Sequence, residues 1–166
     1  MALKNNNVKY EKATFAMGCF WGGQAIFDSI EGVLETTVGY TGGHTINPTY
    51  KSVCNDSTGH AEAIEILFDP KKVRYEKLLE LFWMNHDPTT IDRQGHDIGS
   101  QYRSAIFYHN ENQKKSAISL KEKFQKKLGN KPIVTEIYHA KDFYPAEEYH
   151  QKYYKTHNIS CHIKYE

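Results

Sequence analysis

ATFAMGCFWGGQAIFDSI, residues 13–30, reads as a strand that runs straight into a helix. Residues 13–17 form a short apolar run with the length and composition of a buried strand, and Gly18 ends it. Over residues 20–30 the apolar positions Ala25, Ile26 and Ile30 recur on one helical face, despite Gly22 and Gly23. A strand that turns on a glycine into a helix is the opening unit of an α/β or α+β domain.

Outward from this junction the pattern alternates. Residues 33–38 read as a second strand, and residues 39–55, rich in Gly, Thr, Asn and Pro, as a long loop. Residues 60–68 read as a third strand that Asp69-Pro70 stops. Tyr75, Leu78, Leu79, Phe82 and Trp83 recur at helical spacing and predict an amphipathic helix over 75–85. A polar loop over 86–99 precedes a strand over 102–108. Ala117, Leu120, Phe124 and Leu128 define a further helix face, with Gly129 as terminator. Residues 133–138 read as a strand, and Pro145 in a first-turn position opens a last helix through residue 154. Two strands adjacent in sequence within this alternation predict a mixed sheet covered by helices, in the α/β or α+β class. No linker or internal repeat divides the chain, so one domain over residues 1–166 is expected, its first dozen polar residues frayed.

Bulk properties exclude several functions. A chain of 166 residues can bury a core without disulfide or metal support. A net charge of +1 provides no field for steering nucleic acid or an anionic membrane. Lys114, Lys115, Lys121, Lys123, Lys126 and Lys127 read as a solvated helix face. No secretory or membrane-spanning run is present, so a cytoplasmic protein is expected, in a compartment that keeps thiols reduced. Cys19, Cys54 and Cys161 are too few and too far apart for a disulfide framework. His60-Ala61-Glu62 matches half of a zinc deaminase signature, but the Cys-x-x-Cys half is missing, so neither a metal nor another cofactor is expected.

The chemistry-bearing residues start with Gly18-Cys19-Phe20-Trp21-Gly22. A cysteine where a helix begins lies near free backbone N–H groups and the positive end of the helix dipole, and both favour the nucleophilic thiolate. A buried packing cysteine among core aromatics fits the same pattern. Glu62, flanked by Ala61, Ala63 and Ile64, is either a desolvated carboxyl able to donate a proton or an outward residue of an alternating strand. Glu65 faces the other way, so at most one of the two suits a site. Tyr50, Asp97 and Tyr102 sit in or beside the polar loops, where any one of them could be a surface residue, and for a single tyrosine that reading leads. Cys54 reads as a packing residue, and Cys161 either as a tail thiol able to approach a reactive cysteine or as packing.

Together these segments resemble peptide methionine sulfoxide reductase A over nearly the whole chain. The resemblance rests on Gly18-Cys19-Phe20-Trp21-Gly22, Val38-Gly39-Tyr40-Thr41-Gly42-Gly43, Asn47-Pro48-Thr49-Tyr50 and Thr58-Gly59-His60-Ala61-Glu62. It continues through residues 97–106 (DIGSQYRSAI) and 143–150 (FYPAEEYH) in the same order. The resemblance implies a two-layer, ferredoxin-like plait of the α+β class. It implies Cys19 as nucleophile, Phe20 and Trp21 around the substrate methyl group, and Glu62 as proton donor to the sulfoxide oxygen. Tyr50 and Tyr102 would hydrogen-bond that oxygen, and Asp97 would position the rest of the substrate. It also implies selectivity for the S epimer, Cys161 as resolving thiol, and thioredoxin as the reductant of a monomeric enzyme acting on free or protein-bound methionine sulfoxide. The lead into Cys161 lacks the usual glycines, so direct reduction of Cys19 by an external thiol is the alternative at that step. Two other classes compete: a cysteine hydrolase or acyltransferase, which needs a histidine oriented beside Cys19, and a non-catalytic binder of oxidised methionine.

Overall fold

The structure is a computed structural model that describes residues 9–164. Residues 1–8, most of the segment expected to fray, lie outside it, and the chain is already in a strand by Glu11. In order come β1 (Glu11–Met17), α1 (Phe20–Asp28), β2 (Val33–Thr41), α2 (Tyr50–Cys54) and β3 (Ala61–Phe68). Then follow α3 (Tyr75–Met84), β4 (Arg93–Gln94), β5 (Asp97–Ile98), a 3-10 turn (Ser100–Tyr102) and β6 (Ser104–Tyr108). The chain continues through α4 (Glu111–Leu128), β7 (Glu136–His139), β8 (Tyr144–Pro145), a 3-10 turn (Glu148–His150) and α5 (Tyr153–Thr156).

Six strands form one sheet in the order β7-β6-β1-β3-β2-β8, and β4 pairs with β5 as a separate hairpin. All pairs of the large sheet are antiparallel except β6 with β7. The β1-α1-β2-β3-α3-β6 portion has the connectivity and strand order of the ferredoxin-like plait, as the resemblance implies. No described helix is long and apolar enough to cross a membrane.

Alternation along the strands sends Phe15, Met17, Val38, Ile64 and Ile66 into one core with Phe27 of α1 and Leu78, Leu79 and Phe82 of α3. Phe15 is its centre, with ring centroids 5.1 Å from Phe82 and 5.6 Å from Phe27. α4 lies over α3, with Ala117 fully buried. The reverse face of the sheet is lined by Ala16, Ala61, Ala63, Ala105 and Phe107, packed against Ala140 and Phe143. Alanines leave room for a chain segment to lie close to the sheet, so a loop covers the face where the alternating pattern predicts helices.

Several boundaries differ from the sequence expectation: β7 starts at Glu136 rather than 133, Tyr102 ends a 3-10 turn before β6, and the expected loop over 86–99 holds the β4–β5 hairpin. Three further differences bear on the site. β2 continues to Thr41 because Gly39, Tyr40 and Thr41 pair with Ala63, Glu62 and Ala61. The expected loop that follows contains α2, whose start is a capping box between Thr49 and Ser52. Pro145 does not open a helix. Tyr144 and Pro145 pair with Tyr40 and Gly39 as an edge strand, where a missing N–H is tolerated. The next residues form only the 3-10 turn Glu148–His150, and the Gln151 amide after it pairs with the β2 backbone. Val38 N–H donates to Gln151 Oε1 at 3.0 Å, and Gln151 Nε2 donates to Val38 O at 2.9 Å.

Gln151→Leu leaves the Val38 N–H without its acceptor at a part-buried position. Urea unfolding should report a loss of about 1–3 kcal/mol; parent-like stability would mean that Gln151 does not hold this segment.

Candidate active site

Gly18 turns the chain between β1 and α1 with a φ of +94°. Gln94 Cγ lies 2.6 Å from where a Cβ atom on Gly18 would be, so the turn needs glycine both for its conformation and for the close approach of the β4–β5 hairpin. Cys19 follows as the N-cap of α1, half-buried and without a closed cap hydrogen bond.

Burial pushes the Cys19 thiol up to about 11, and the Glu62 carboxylate and then Asp97 push the same way. The amides of Trp21 and Gly22 pull toward thiolate, as expected for a helix start, but they are outweighed. The resting cysteine is therefore a thiol, against the expectation from the helix dipole alone. Desolvation and two carboxylates exceed the attraction of two N–H groups.

Glu62 faces Tyr40 across the β2–β3 pair and is only 2% exposed. It shares the strand face of Ile64 and Ile66, so its carboxyl enters the main core where that core meets the start of α1. Glu65 points to the other face and pairs with Lys12 at 3.2 Å. Burial raises Glu62 to about 8; a hydrogen bond from the Phe20 N–H opposes this, and the charge of Asp97 adds to it. At neutral pH the group is a carboxylic acid, able to donate a proton.

The other expected residues surround this pair. Tyr50 opens α2, and its phenol is raised to about 12, first by burial, then by a hydrogen bond with Cys54, with smaller contributions from Glu62 and Cys19. Tyr102 ends the 3-10 turn and is raised by burial and then by Glu62. Arg103 fixes that turn to the entrance of β3, donating to Ser100 O at 3.0 Å and Gly59 O at 2.9 Å. Asp97 is exposed on the β4–β5 hairpin, close enough to act on both Cys19 and Glu62. Trp21 is half-exposed, but Phe20 is fully buried, with its ring 5.8 Å from that of Tyr40. Of the two expected wall residues, only Trp21 presents surface. Cys54, read as packing, is exposed beside Tyr50.

Cys161 is half-buried against the main core with Ile163. The side chain of Asn85 clips the tail there, accepting from Lys164 N–H at 2.8 Å and donating to Lys164 O at 2.9 Å. Cys19 and Cys161 are both free thiols, and both act on the phenol of Tyr154.

Three residues given no role in the sequence reading support the site. Glu147 accepts from Tyr40 Oη and from Tyr50 N–H, both at 3.1 Å, and so ties α2 to β2. Tyr40 is fully buried between Glu147 and Phe20. His150, 1% exposed, meets Phe20, Trp21 and Tyr50. They lie in the segments 38–43 and 143–150 that carry the resemblance, but their contacts come from the long-range convergence of β2 with the carboxyl-terminal segment. Among the described residues, no group of three or more His, Cys, Asp or Glu side chains could hold a metal ion.

The geometry predicts coupled titration. Alkylation of Cys19, followed against pH by peptide mass, should have its midpoint moved downward in Glu62→Gln, because a negative neighbour that disfavours thiolate is gone. An unmoved midpoint would refute the coupling.

The chain as a whole is similar to several known proteins. A family model described as peptide methionine sulfoxide reductase matches residues 11–166. A peptide methionine sulfoxide reductase MsrA of Methanosarcina acetivorans is 56% identical over 154 residues, covering 92% of this chain and 82% of that protein. Among solved structures, reduced Mxr1 of Saccharomyces cerevisiae superposes with a TM-score of 0.87 at 36% identity, covering 96% of this chain and 92% of that one. Mxr1 in complex with Trx2 is also similar, with a TM-score of 0.64 at 30% identity, over 92% of this chain and 90% of that one.

Proposed function

The chain belongs to the peptide methionine sulfoxide reductase family, whose activity is the thiol-dependent reduction of methionine sulfoxide, and we propose that it reduces the S epimer through Cys19 with Glu62 as the acid. One observation carries the assignment of roles: a cysteine thiol at a helix start beside a buried carboxyl that keeps its proton to about pH 8.

A sulfoxide oxygen leaves sulfur only as it gains a proton. Glu62 donates toward that oxygen while the phenols of Tyr50 and Tyr102 hydrogen-bond it. Cys19 sulfur takes the oxygen: the S–O bond of the substrate breaks, methionine departs, and Cys19 becomes a sulfenic acid. The substrate is reduced by two electrons and Cys19 is oxidised by two. Trp21 offers the apolar surface for the methyl group with Phe20 behind it, and Asp97 at the rim positions the backbone of the substrate. The Cys161 thiol then displaces hydroxide from Cys19, releasing water and forming a disulfide, which thioredoxin reduces by thiol exchange. The relative solved with Trx2 supports thioredoxin as reductant. The chemistry suits the cytoplasm, where thiols are kept reduced. A hydrolase would need an imidazole acting on Cys19, whereas the charged groups that act on it are two carboxylates.

The reactive pair, thiolate with neutral acid, holds one proton of the possible two. kcat/KM should therefore rise with pH until the pair loses its first proton near 8. Glu62→Gln should remove that inflection and slow sulfoxide reduction by about 10²–10⁴-fold; an unchanged profile and rate would refute the acid assignment.

A single turnover tests the whole scheme. Prereduced protein is mixed with the S-sulfoxide of a blocked methionine, without recycling thiol, and methionine and thiols are counted. One methionine and two thiols lost per chain is expected, with the loss confined to one thiol in Cys161→Ser. Loss of Cys19 alone in the parent would remove Cys161 from the mechanism, and no methionine from folded protein would overturn the reading.

A further inference from the structure

His150 lies behind the aromatic wall of the site, in the 3-10 turn that Gln151 holds against β2. Its ring is 1% exposed, and ring centroids of Tyr149, Tyr50, Phe20 and Trp21 lie 4.1, 4.6, 5.2 and 5.7 Å away. The Trp21 indole N–H donates to His150 Nδ1 at 3.0 Å. An indole N–H can only donate, so Nδ1 must present its lone pair and the ring proton must sit on Nε2. Nε2 itself is buried and has no hydrogen-bond partner among the described residues. Tyr153 of α5 stacks on Trp21 at 3.8 Å, so the indole is held on one face by a phenol and at its N–H by the imidazole.

We infer that His150 is a positioning residue for substrate binding: its neutral imidazole fixes the orientation of the Trp21 indole on which the sulfoxide methyl group rests. The inference depends on the role proposed above for Trp21. An imidazolium would turn an N–H toward the indole N–H, so the hold requires the neutral ring. Burial lowers the pKa of His150, while the Glu147 carboxylate pulls the other way. Around the ring, α1 contributes Phe20 and Trp21, α2 contributes the Tyr50 phenol, and the ring's own segment contributes Tyr149 and Glu147. Tyr40 of β2 donates to the same Glu147. The neutral ring is thus the state that fits this enclosure.

The chain has two tryptophans, and the Trp83 indole N–H is buried with no partner among the described residues, which makes it an internal reference. In ¹⁵N-labelled protein the Trp21 indole resonance should lie downfield of that of Trp83. His150→Phe keeps an aromatic ring without the acceptor. It should move the Trp21 resonance upfield and raise KM for a blocked methionine sulfoxide by about five- to tenfold, with kcat changed by less than about twofold. His150→Asn, which keeps an acceptor near the Nδ1 place, should restore both. In Trp21→Phe, which lacks the donor, His150→Phe should add nothing further to KM. A parent-like KM in His150→Phe, or an equal rise in both backgrounds, overturns the inference. If His150→Phe does not fold, acidification of the parent decides. The Trp21 resonance should move as the histidine protonates, and a static Trp21 resonance overturns the inference. Absence of turnover in the parent and every variant, with the Trp21 resonance still following His150, overturns instead the functional reading on which the inference rests.

Discussion

A carboxyl group buried where β3 meets the start of α1 governs the rest of the site. Glu62 has almost no contact with water, and the one hydrogen bond that favours its charged form comes from the Phe20 N–H. An ionised carboxylate is costly in such surroundings unless it is paired, and the group responds by keeping its proton. The same enclosure acts on Cys19. Its thiol is desolvated, and any charge on Glu62 disfavours thiolate further. Nucleophile and acid therefore titrate as a pair, and the free enzyme holds both in their neutral forms at neutral pH.

The enclosure is built largely by the carboxyl-terminal segment. Glu147 ties Tyr40 to the first helical N–H of α2, His150 fills the space behind Phe20 and Trp21, and Gln151 pairs with the β2 backbone. Lys152 follows in a left-handed conformation, with its ammonium 2.6 Å from Asp28 of α1. Beyond it, α5 lays Tyr153 on Trp21, and the chain ends its described course clipped to Asn85. The wall behind the indole and the thiol proposed to regenerate the enzyme thus belong to one continuous stretch. Cys161 and Ile163 of that stretch are packed against the main core.

Much of this plan was legible in the amino-acid order, for local reasons. Strand periodicity, the Gly18 turn and the apolar stripe of α3 identify a mixed sheet covered by helices, because which face is buried is written in the spacing of apolar residues, while the plait itself is what the family resemblance implies. α2 is not legible in the sequence although Thr49 and Ser52 carry its capping box, since a five-residue helix shows no periodicity. Pro145 suits a helix start and an edge strand equally well, and only the pairing of Tyr144 and Pro145 with β2 decides between them.

Cys19 at a helix start, Glu62 on a strand and the absence of a Cys-x-x-Cys pattern were determined by the sequence alone, whereas the face that Glu62 takes was not. Each depends on residues within a few positions of one another. The state and setting of those groups were decided only by the tertiary structure. The helix amides alone favour a Cys19 thiolate, yet burial and two carboxylates from other elements make it a thiol. Phe20 stands next to the nucleophile in sequence but is sealed beneath Tyr40 and His150. The Trp21–His150 bond joins residues 129 positions apart. Desolvation and through-space charge depend on which atoms surround a group, and those atoms come from segments whose proximity no local pattern encodes.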